Sequence, residues 1–366
     1  MPISAVDTIS LAFQHTKRQL IQPFRFWQWT RLAFVGLLAG EMGSSGGVNV
    51  PTSFPNIPQQ GGGSSRHFAQ AFPHIDPAIL GAVITVAVIS GLVLIVLFAY
   101  ISSIMRFVLF DSIVAKECRI RASWSGRQGI GWKLFLWQLG ISFLTLAVLA
   151  ILVGIPAAIG FAAGWFKSPS DHLPVLIIGG ILLFFVLMAF FILVAVVHVM
   201  TKDFVVPQMA LEGIGAVEGW RRLLVMLKGE KGGYAAYIGM KIVLAIGAGI
   251  VLSIATFIVI FVIALPAFAA GLVAVIAGKS AGLDWNVFTI TAAVVAGCIL
   301  FAVFFYLVAL ISVPAIVFFP AYSIYFFAPR YRPLSLLLYP PPAGFAASEN
   351  LPPQEPPPLP PTPQLA

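Results

Sequence analysis

Residues 203–241 read DFVVPQMALEGIGAVEGWRRLLVMLKGEKGGYAAYIGMK and lie between two long apolar runs. Together with Lys202 they hold six of the chain's 21 lysine and arginine residues and four of its 13 acidic residues. Such a segment is too polar for lipid. Residues 209–228 alternate apolar and charged side chains at helical spacing, which predicts an amphipathic helix weakened by three glycines. Residues 106–133 form an earlier segment of the same kind, so apolar spans are expected to be joined by basic surface segments.

The composition places the chain among membrane proteins. It is 60% hydrophobic and 9% charged, whereas an ordinary soluble domain is about 25% charged. A mean hydropathy of +0.99 over 366 residues leaves little room for a separate soluble enzyme domain. The net charge of +8 is also typical of nucleic-acid binding, but the basic residues flank apolar runs, which favours membrane topology and no nucleic-acid partner. The predicted fold class is all-α, a polytopic transmembrane helical bundle.

Six apolar runs approach or reach the length that a helix needs to cross a bilayer. They are residues 26–42, 78–102, 132–157, 174–200, 242–265 and 287–313. The first run is the weakest, and five spans is the alternative if it only dips into the bilayer. Residues 1–335 are expected to form one integral membrane domain. Residues 43–77 predict a flexible extracytoplasmic loop, and the proline-rich residues 340–366 predict a disordered C-terminal tail that offers a docking segment for a protein partner.

The distribution of basic residues predicts the orientation. Eighteen of the 21 lysines and arginines fall on the side of the N-terminus and the two basic segments. The opposite side has only Arg66, Lys167 and Lys279. Because basic loops stay cytoplasmic, both termini and both basic segments are predicted to face the cytoplasm, in the inner membrane of a bacterium.

Recurring motifs predict a parallel internal repeat. Residues 107–111, 204–208 and 317–321 each close a span on the basic side, and Pro207 and Pro320 lie in the last two of them. Pro156 and Pro266 stand in Ile-Pro-Ala and Leu-Pro-Ala motifs of the returning spans, where each is expected to kink or end a helix. The order of features repeats in one direction, which favours duplication, although aromatic and proline residues also simply gather at membrane interfaces.

Charged residues next to the spans have a structural and a lipid-binding interpretation. Asp111 is expected to be held at the interface by Arg106 or Lys116, and the alternative is that it binds a headgroup-linked cation. Glu218 is placed to pair with Arg222 one turn later. His198, near the end of a span, is expected to be neutral and hydrogen-bonded. The candidate contacts to anionic headgroups share one basic segment, and the alternative is plain positive-inside charge. They are Trp220, Arg221, Arg222, Lys228 and Lys231.

No catalytic pattern stands out. The loops hold no glycine-rich phosphate loop, Ser/His/Asp order or paired carboxylates, so no catalytic, cofactor or metal residue is assigned and no enzyme is expected.

Two groups of short motifs resemble a known family. Val206-Pro207, Leu211-Glu212-Gly213, Trp220-Arg221-Arg222 and Lys228-Gly229 come first, and residues 321–326 close the last span. Over about residues 5–335 the chain is similar to the membrane domain fused to some glycerophosphodiester phosphodiesterases and to its stand-alone prokaryotic relatives. In fused members a separate soluble barrel performs the hydrolysis. This chain ends in a proline-rich tail, so the resemblance implies a membrane domain without that activity.

Two functions follow from these observations. The first is a non-enzymatic membrane protein that organises lipid or partner proteins through its basic segments. The alternative is a transporter or permease for an apolar or lipid-like substrate, which parallel repeats and bent spans permit. Apart from Lys133 at the start of residues 132–157, the five longer apolar runs hold no Asp, Glu, Lys or Arg, which argues against coupled ion transport. The sequence indicates no oligomeric state.

Overall fold

The computed structural model describes residues 4–41, 77–165, 170–280 and 287–340, and every regular element in these ranges is helical. Five helices are long: α3 (Pro77–Val114), α4 (Ile120–Ala162), α5 (Leu173–Met200), α8 (Lys231–Ser280) and α9 (Val287–Phe327). The shorter helices are α1 (Asp7–Leu20), α2 (Phe26–Leu38), α6 (Val206–Glu212), α7 (Ala216–Gly229) and α10 (Arg332–Leu338). A π-helical turn, Thr201–Val205, joins α5 to α6, and a 3-10 turn, Ala328–Arg330, joins α9 to α10.

Five helical segments of the described residues are long and apolar enough to cross a membrane, close to the predicted count of about six. They are Gly81–Val114, Ile120–Ala162, Leu173–Glu212, Lys231–Ile263 and Phe288–Arg330. Helix α2 covers most of the first predicted run, residues 26–42. It has 13 residues and is therefore about 20 Å long, short of the roughly 30 Å hydrocarbon core. The predicted loop and tail lie outside the described residues, except for Pro77 and Pro340 at their edges.

The buried core lies where the basic segments meet, at one end of the bundle. Its centre is the ring of Phe204, whose centroid is 5.1 Å from that of Tyr237 and 5.2 Å from those of Tyr234 and Phe327. Helix α1 packs along α9 at this same end, where the Tyr322 hydroxyl donates to the Ala5 carbonyl at 3.1 Å. The N-terminal helices and the end of α9 are thus held together by direct contact.

Glycines divide the predicted amphipathic helix into two. Helix α6 ends at Gly213, whose φ of +70° is the left-handed conformation that glycine adopts without strain. Helix α7 begins after Gly215. Gly219 lies inside α7, and a Cβ there would be 2.7 Å from Val205 Cγ1. The glycines therefore set a break and a close helix contact, which helical spacing alone does not reveal.

The two Pro-Ala motifs lie at matching positions along two long helices. Pro156 is 36 residues after the first residue of α4, Ile120, and Pro266 is 35 residues after the first residue of α8, Lys231. Both helices continue past their proline, so neither residue ends its helix. The match agrees with the proposed duplication, which stays a prediction.

Candidate functional site

The π-helical turn Thr201–Val205 places two charged residues in the protein interior. In an α-helix the ring of Pro207 would collide with the carbonyl of Asp203, four residues before it. Here the Val206 N–H bonds to the Thr201 carbonyl, five residues before it, so the helix is locally wider. Such turns are rare and are often found at functional sites. Lys202 and Asp203 both lie in this turn.

Asp203 and Lys202 form two buried ion pairs with distant parts of the chain. Asp203 is 2% exposed and accepts hydrogen bonds from Lys241 Nζ and, at 2.9 Å, from the Tyr237 hydroxyl. Lys202 Nζ pairs with the carboxylate of Glu41, which is also 2% exposed. These pairs connect three separate chain segments. A buried charge without a partner is strongly destabilising, so the pairs help to hold the three segments together.

Arg106 completes this ionic cluster. Its Nε donates to the Ala39 carbonyl at 3.3 Å, and its Nη2 lies 3.4 Å from His198 Nε2. A cavity of about 30 Å³, lined by Arg106, Glu41, Lys202 and Asp203, has room for roughly one water molecule. The Nη1 of Arg106 is buried and has no hydrogen-bond partner in the described part of the protein. The cluster holds three cations, Arg106, Lys202 and Lys241. Its two carboxylates are Glu41 and Asp203, so its net charge is +1.

The sequence pattern places Arg106, Lys202 and Asp203 in surface segments but Glu41 in the first apolar run. The available signal was the spacing of Tyr234, Tyr237 and Lys241, which puts two aromatic rings and a charge on one face of α8. Tyr237 and Lys241 bind Asp203, and Lys202 binds Glu41. Each partner is distant in sequence, so only the fold brings the cluster together.

Asp111 pairs with a residue that the sequence did not indicate. Its two carboxylate oxygens accept from Arg127, at 2.9 Å from Nε and 2.7 Å from Nη2. Arg127 Nη1 also donates to the Ala210 carbonyl at 2.6 Å. The expected partner Arg106 lies five residues before Asp111 on the same helix, where the two side chains do not face each other. The expectation of Arg106 or Lys116 was therefore wrong.

The five predicted headgroup contacts separate into two groups. Trp220 points inward, where its Nε1 donates to Thr201 Oγ1 at 3.1 Å, and Arg222 pairs with Glu212 and, as expected, with Glu218 at 3.0 Å. The others lie at the surface, where Arg221 pairs with Glu218 at 2.7 Å. The surface residues are Arg221, Lys228 and Lys231.

Helix α7 presents an apolar face to its surroundings. Val217, Leu224 and Val225 are exposed there, with Arg221 and Lys228 beside them. An exposed apolar stripe with basic neighbours is typical of a helix that lies in a membrane interface.

An arginine pocket lies between the start of α2 and the turn that precedes α4. Its volume is about 440 Å³, and Gln28 Nε2 joins its two walls by donating to the Lys116 carbonyl at 2.9 Å. The pocket is lined by Arg25, Phe26, Trp27, Gln28, Arg31, Glu117, Cys118 and Arg119. Arg119 pairs with Glu117 at 2.9 Å, whereas Arg25 and Arg31 make no ion pair within the described residues.

The pocket is suited to an anion at a membrane surface. Its three arginines and one glutamate give two net positive charges, and guanidinium groups bind phosphate with two parallel hydrogen bonds. Trp27 is 74% exposed at the rim, and tryptophan is enriched at membrane interfaces. Burial raises the pKa of the neighbouring Cys118 thiol, so the thiol stays protonated and poorly nucleophilic at neutral pH. The pocket is therefore suited to binding an anion, and its thiol is poorly suited to attack a bound molecule.

From the sequence alone, Arg25, Arg31 and Arg119 indicate only the orientation of the chain. The alternation of arginine with aromatic residues over positions 24–31 was the available indication. In the part of the chain that the structure describes, no three His, Cys, Asp or Glu side chains group as metal ligands. The four prolines and Asp111 all lie in helices, and Pro207 and Pro320 line the small cavity of the ionic cluster.

Comparison with known proteins identifies the family. The model of a family of unknown function, DUF7544, matches residues 3–337, and the chain belongs to this family. No curated protein and no solved structure matches it. The match names no phosphodiesterase, so the resemblance to phosphodiesterase membrane domains stays a prediction.

Proposed function

We propose that this protein is a non-enzymatic membrane protein that binds anionic phospholipid headgroups at one end of its bundle and so organises the lipid around it. The observation that carries the proposal is the arginine pocket, where Arg25 and Arg31 make no ion pair with any residue that the structure describes. Two features at the same end of the bundle give further support. Trp27 and the apolar face of α7 suit the depth of the headgroups, so a lipid phosphate would meet the guanidinium groups directly.

The proposed orientation follows from the same residues. The basic segments, α1, α2 and the end of α9 meet at one end, which we place at the cytoplasmic face of a bacterial inner membrane. Anionic lipid in that leaflet attracts each nearby lysine or arginine by about 1 kcal/mol. Two unpaired arginines in one pocket would thus select anionic over zwitterionic lipid.

The test compares two double variants of equal charge. Arg25→Gln with Arg31→Gln removes the unpaired pocket charges, and Lys17→Gln with Arg18→Gln removes two exposed charges from α1 at the same end. Each protein is purified in mild detergent and titrated with phosphatidylglycerol or phosphatidylcholine, and native mass spectrometry counts the bound lipids. The pocket variant should lose at least tenfold in phosphatidylglycerol affinity and the α1 variant less than twofold. Equal losses would mean that only overall positive charge attracts the lipid.

Transport of a lipid-like substrate is the alternative, and one observation favours it. A groove open on one side runs between α3, α4 and α5. Liposomes that contain the protein and a fluorescent phospholipid would test it, with quencher added outside. Fluorescence loss beyond half of the signal, at a rate proportional to protein content, would support transport. Loss that stops at half, as in protein-free liposomes, would reject it.

A further inference from the structure

The groove between α3, α4 and α5 has an apolar wall and a polar floor. Its volume is about 530 Å³. Ile95 of α3 and Leu146 of α4 line it and remain 67% and 61% exposed, so the groove opens sideways to the membrane. Gln138 and Ser142, one turn apart on α4, and His198 of α5 also line it. A molecule that fills the groove would therefore need an apolar length and a polar group.

The groove is long enough to hold a lipid chain across one leaflet. Its lining on α4 runs from Phe135 to Leu149, which is 14 helical steps and about 21 Å. One leaflet of hydrocarbon is roughly 15 Å thick, half of a 30 Å core. The polar end lies close to the basic segments, since Gln138 follows Lys133 by five residues, or about 7.5 Å along the helix. Gln138 is thus near the depth where the ester groups of a membrane lipid begin.

The polar floor offers hydrogen-bond donors. Gln138 Oε1 accepts from Ser103 Oγ at 2.9 Å, but the buried Gln138 Nε2 has no partner among the described residues. Arg106 can only donate, so His198 Nε2 accepts from it and the ring proton lies on Nδ1. A buried donor without a partner is destabilising, because it has lost its hydrogen bonds to water. An oxygen acceptor in the groove would remove that cost, and the positive charge of Arg106 behind His198 favours an electron-rich one.

We infer that the groove is a binding site for one anionic glycerolipid of the adjoining leaflet. An acyl chain lies along Ile95 and Leu146, and the Gln138 carboxamide turns toward the groove, where its Nε2 donates to an ester or headgroup oxygen. This site is separate from the arginine pocket and does not rest on the function proposed above. It adds a single specific lipid to the lipids that surround any membrane protein.

The test labels the groove in the full chain reconstituted in phosphatidylcholine liposomes. The probe is phosphatidylglycerol with a diazirine in one acyl chain, and crosslinked residues are mapped by peptide mass spectrometry. Ser142→Phe fills the groove, and Leu144→Phe is the matched change on an exposed position of the same helix. Gln138→Leu removes the unpartnered donor and leaves the groove open. Gel filtration and thermal melting confirm that each variant is folded.

Labelling of residues 135–149 and 194–201 should saturate at a few mole per cent of probe, and excess unlabelled phosphatidylglycerol should compete with it. Ser142→Phe should lower this labelling at least fivefold, Gln138→Leu at least threefold, and Leu144→Phe less than 1.5-fold. Labelling that rises in proportion to probe, or that Ser142→Phe and Gln138→Leu leave unchanged, would overturn the inference. The Arg25→Gln and Arg31→Gln variant should label normally, so the two sites fail independently.

Discussion

The two ends of the bundle differ in what holds the helices together. At the basic end, side chains such as Phe107, Phe204 and Tyr322 are fully buried, and ion pairs join helices that are distant in sequence. At the other end, side chains such as Phe161, Ile178 and Phe301 are 67–75% exposed. Lipid chains are as apolar as leucine, so no hydrophobic force draws those helix halves together. The basic end therefore determines how the helices are arranged.

Two phenylalanine truncations test this comparison most strongly. Phe204→Ala removes the ring at the centre of the buried aromatic cluster and should destabilise the protein by about 3–5 kcal/mol. Phe301→Ala removes an exposed ring of α9 at the other end and should have little effect. Thermal melting in mild detergent measures both. Similar losses of Tm in the two variants would mean that both ends stabilise the fold.

The buried ion pair should have an effect of similar size. Asp203→Asn leaves the Lys241 ammonium without its carboxylate in the protein interior, which costs about 3–5 kcal/mol. Glu218→Gln removes a carboxylate that also pairs with basic side chains but lies in solvent, and it should leave Tm unchanged within error. Equal Tm values for the two variants would show that burial does not matter here.

Two glycines of α4 give a smaller and more local test. A Cβ on Gly131 would lie 2.5 Å from Ile104 Cγ1 and 3.3 Å from the Ile104 Cα, whereas a Cβ on Gly129 meets nothing within 4 Å. Gly131→Ala should therefore cost about 1–3 kcal/mol through overpacking. Gly129→Ala should be neutral or stabilise α4 by up to about 1 kcal/mol, because alanine favours helix. The Tm difference between the two variants measures the closeness of α3 and α4.

The smallest expected effect is a pH dependence at the basic end. His15 is buried against the Tyr325 hydroxyl and Gln19, at 3.1 and 3.2 Å. Burial, and then the charge of Lys116, lower its pKa below the usual 6.5. Above pH 6.5 the ring is neutral in both the folded and unfolded states. As the pH falls below 6.5 the unfolded state binds the proton more readily, so stability falls by at most about 1.4 kcal/mol per pH unit.

Melting at pH 7.5 and at pH 5.5 measures this effect, with His15→Gln as the comparison. The wild type should lose more Tm than the variant between the two pH values. If His15→Gln keeps the full pH dependence, other groups account for it.

The sequence predicted the parts of the fold that depend on local pattern. The apolar runs predicted the long helices. The i+4 spacing of Glu218 and Arg222 correctly predicted their ion pair. The partners of Asp111, Lys202 and Asp203 could not be predicted this way, because each lies on a different segment of the chain. The arginine pocket was missed for the same reason, since α2 and the turn at Arg119 meet only in the folded chain.

The ion pair between Lys202 and Glu41 has a consequence for biosynthesis, because its partners are 161 residues apart. At about 5–20 residues per second, the ribosome needs roughly 8–32 s to make the chain between them. Glu41 cannot form this ion pair during that time. Tyr322 and its acceptor at Ala5 are 317 residues apart, so that contact forms later still. The N-terminal segment is thus the first part to be synthesised and among the last to take its final place.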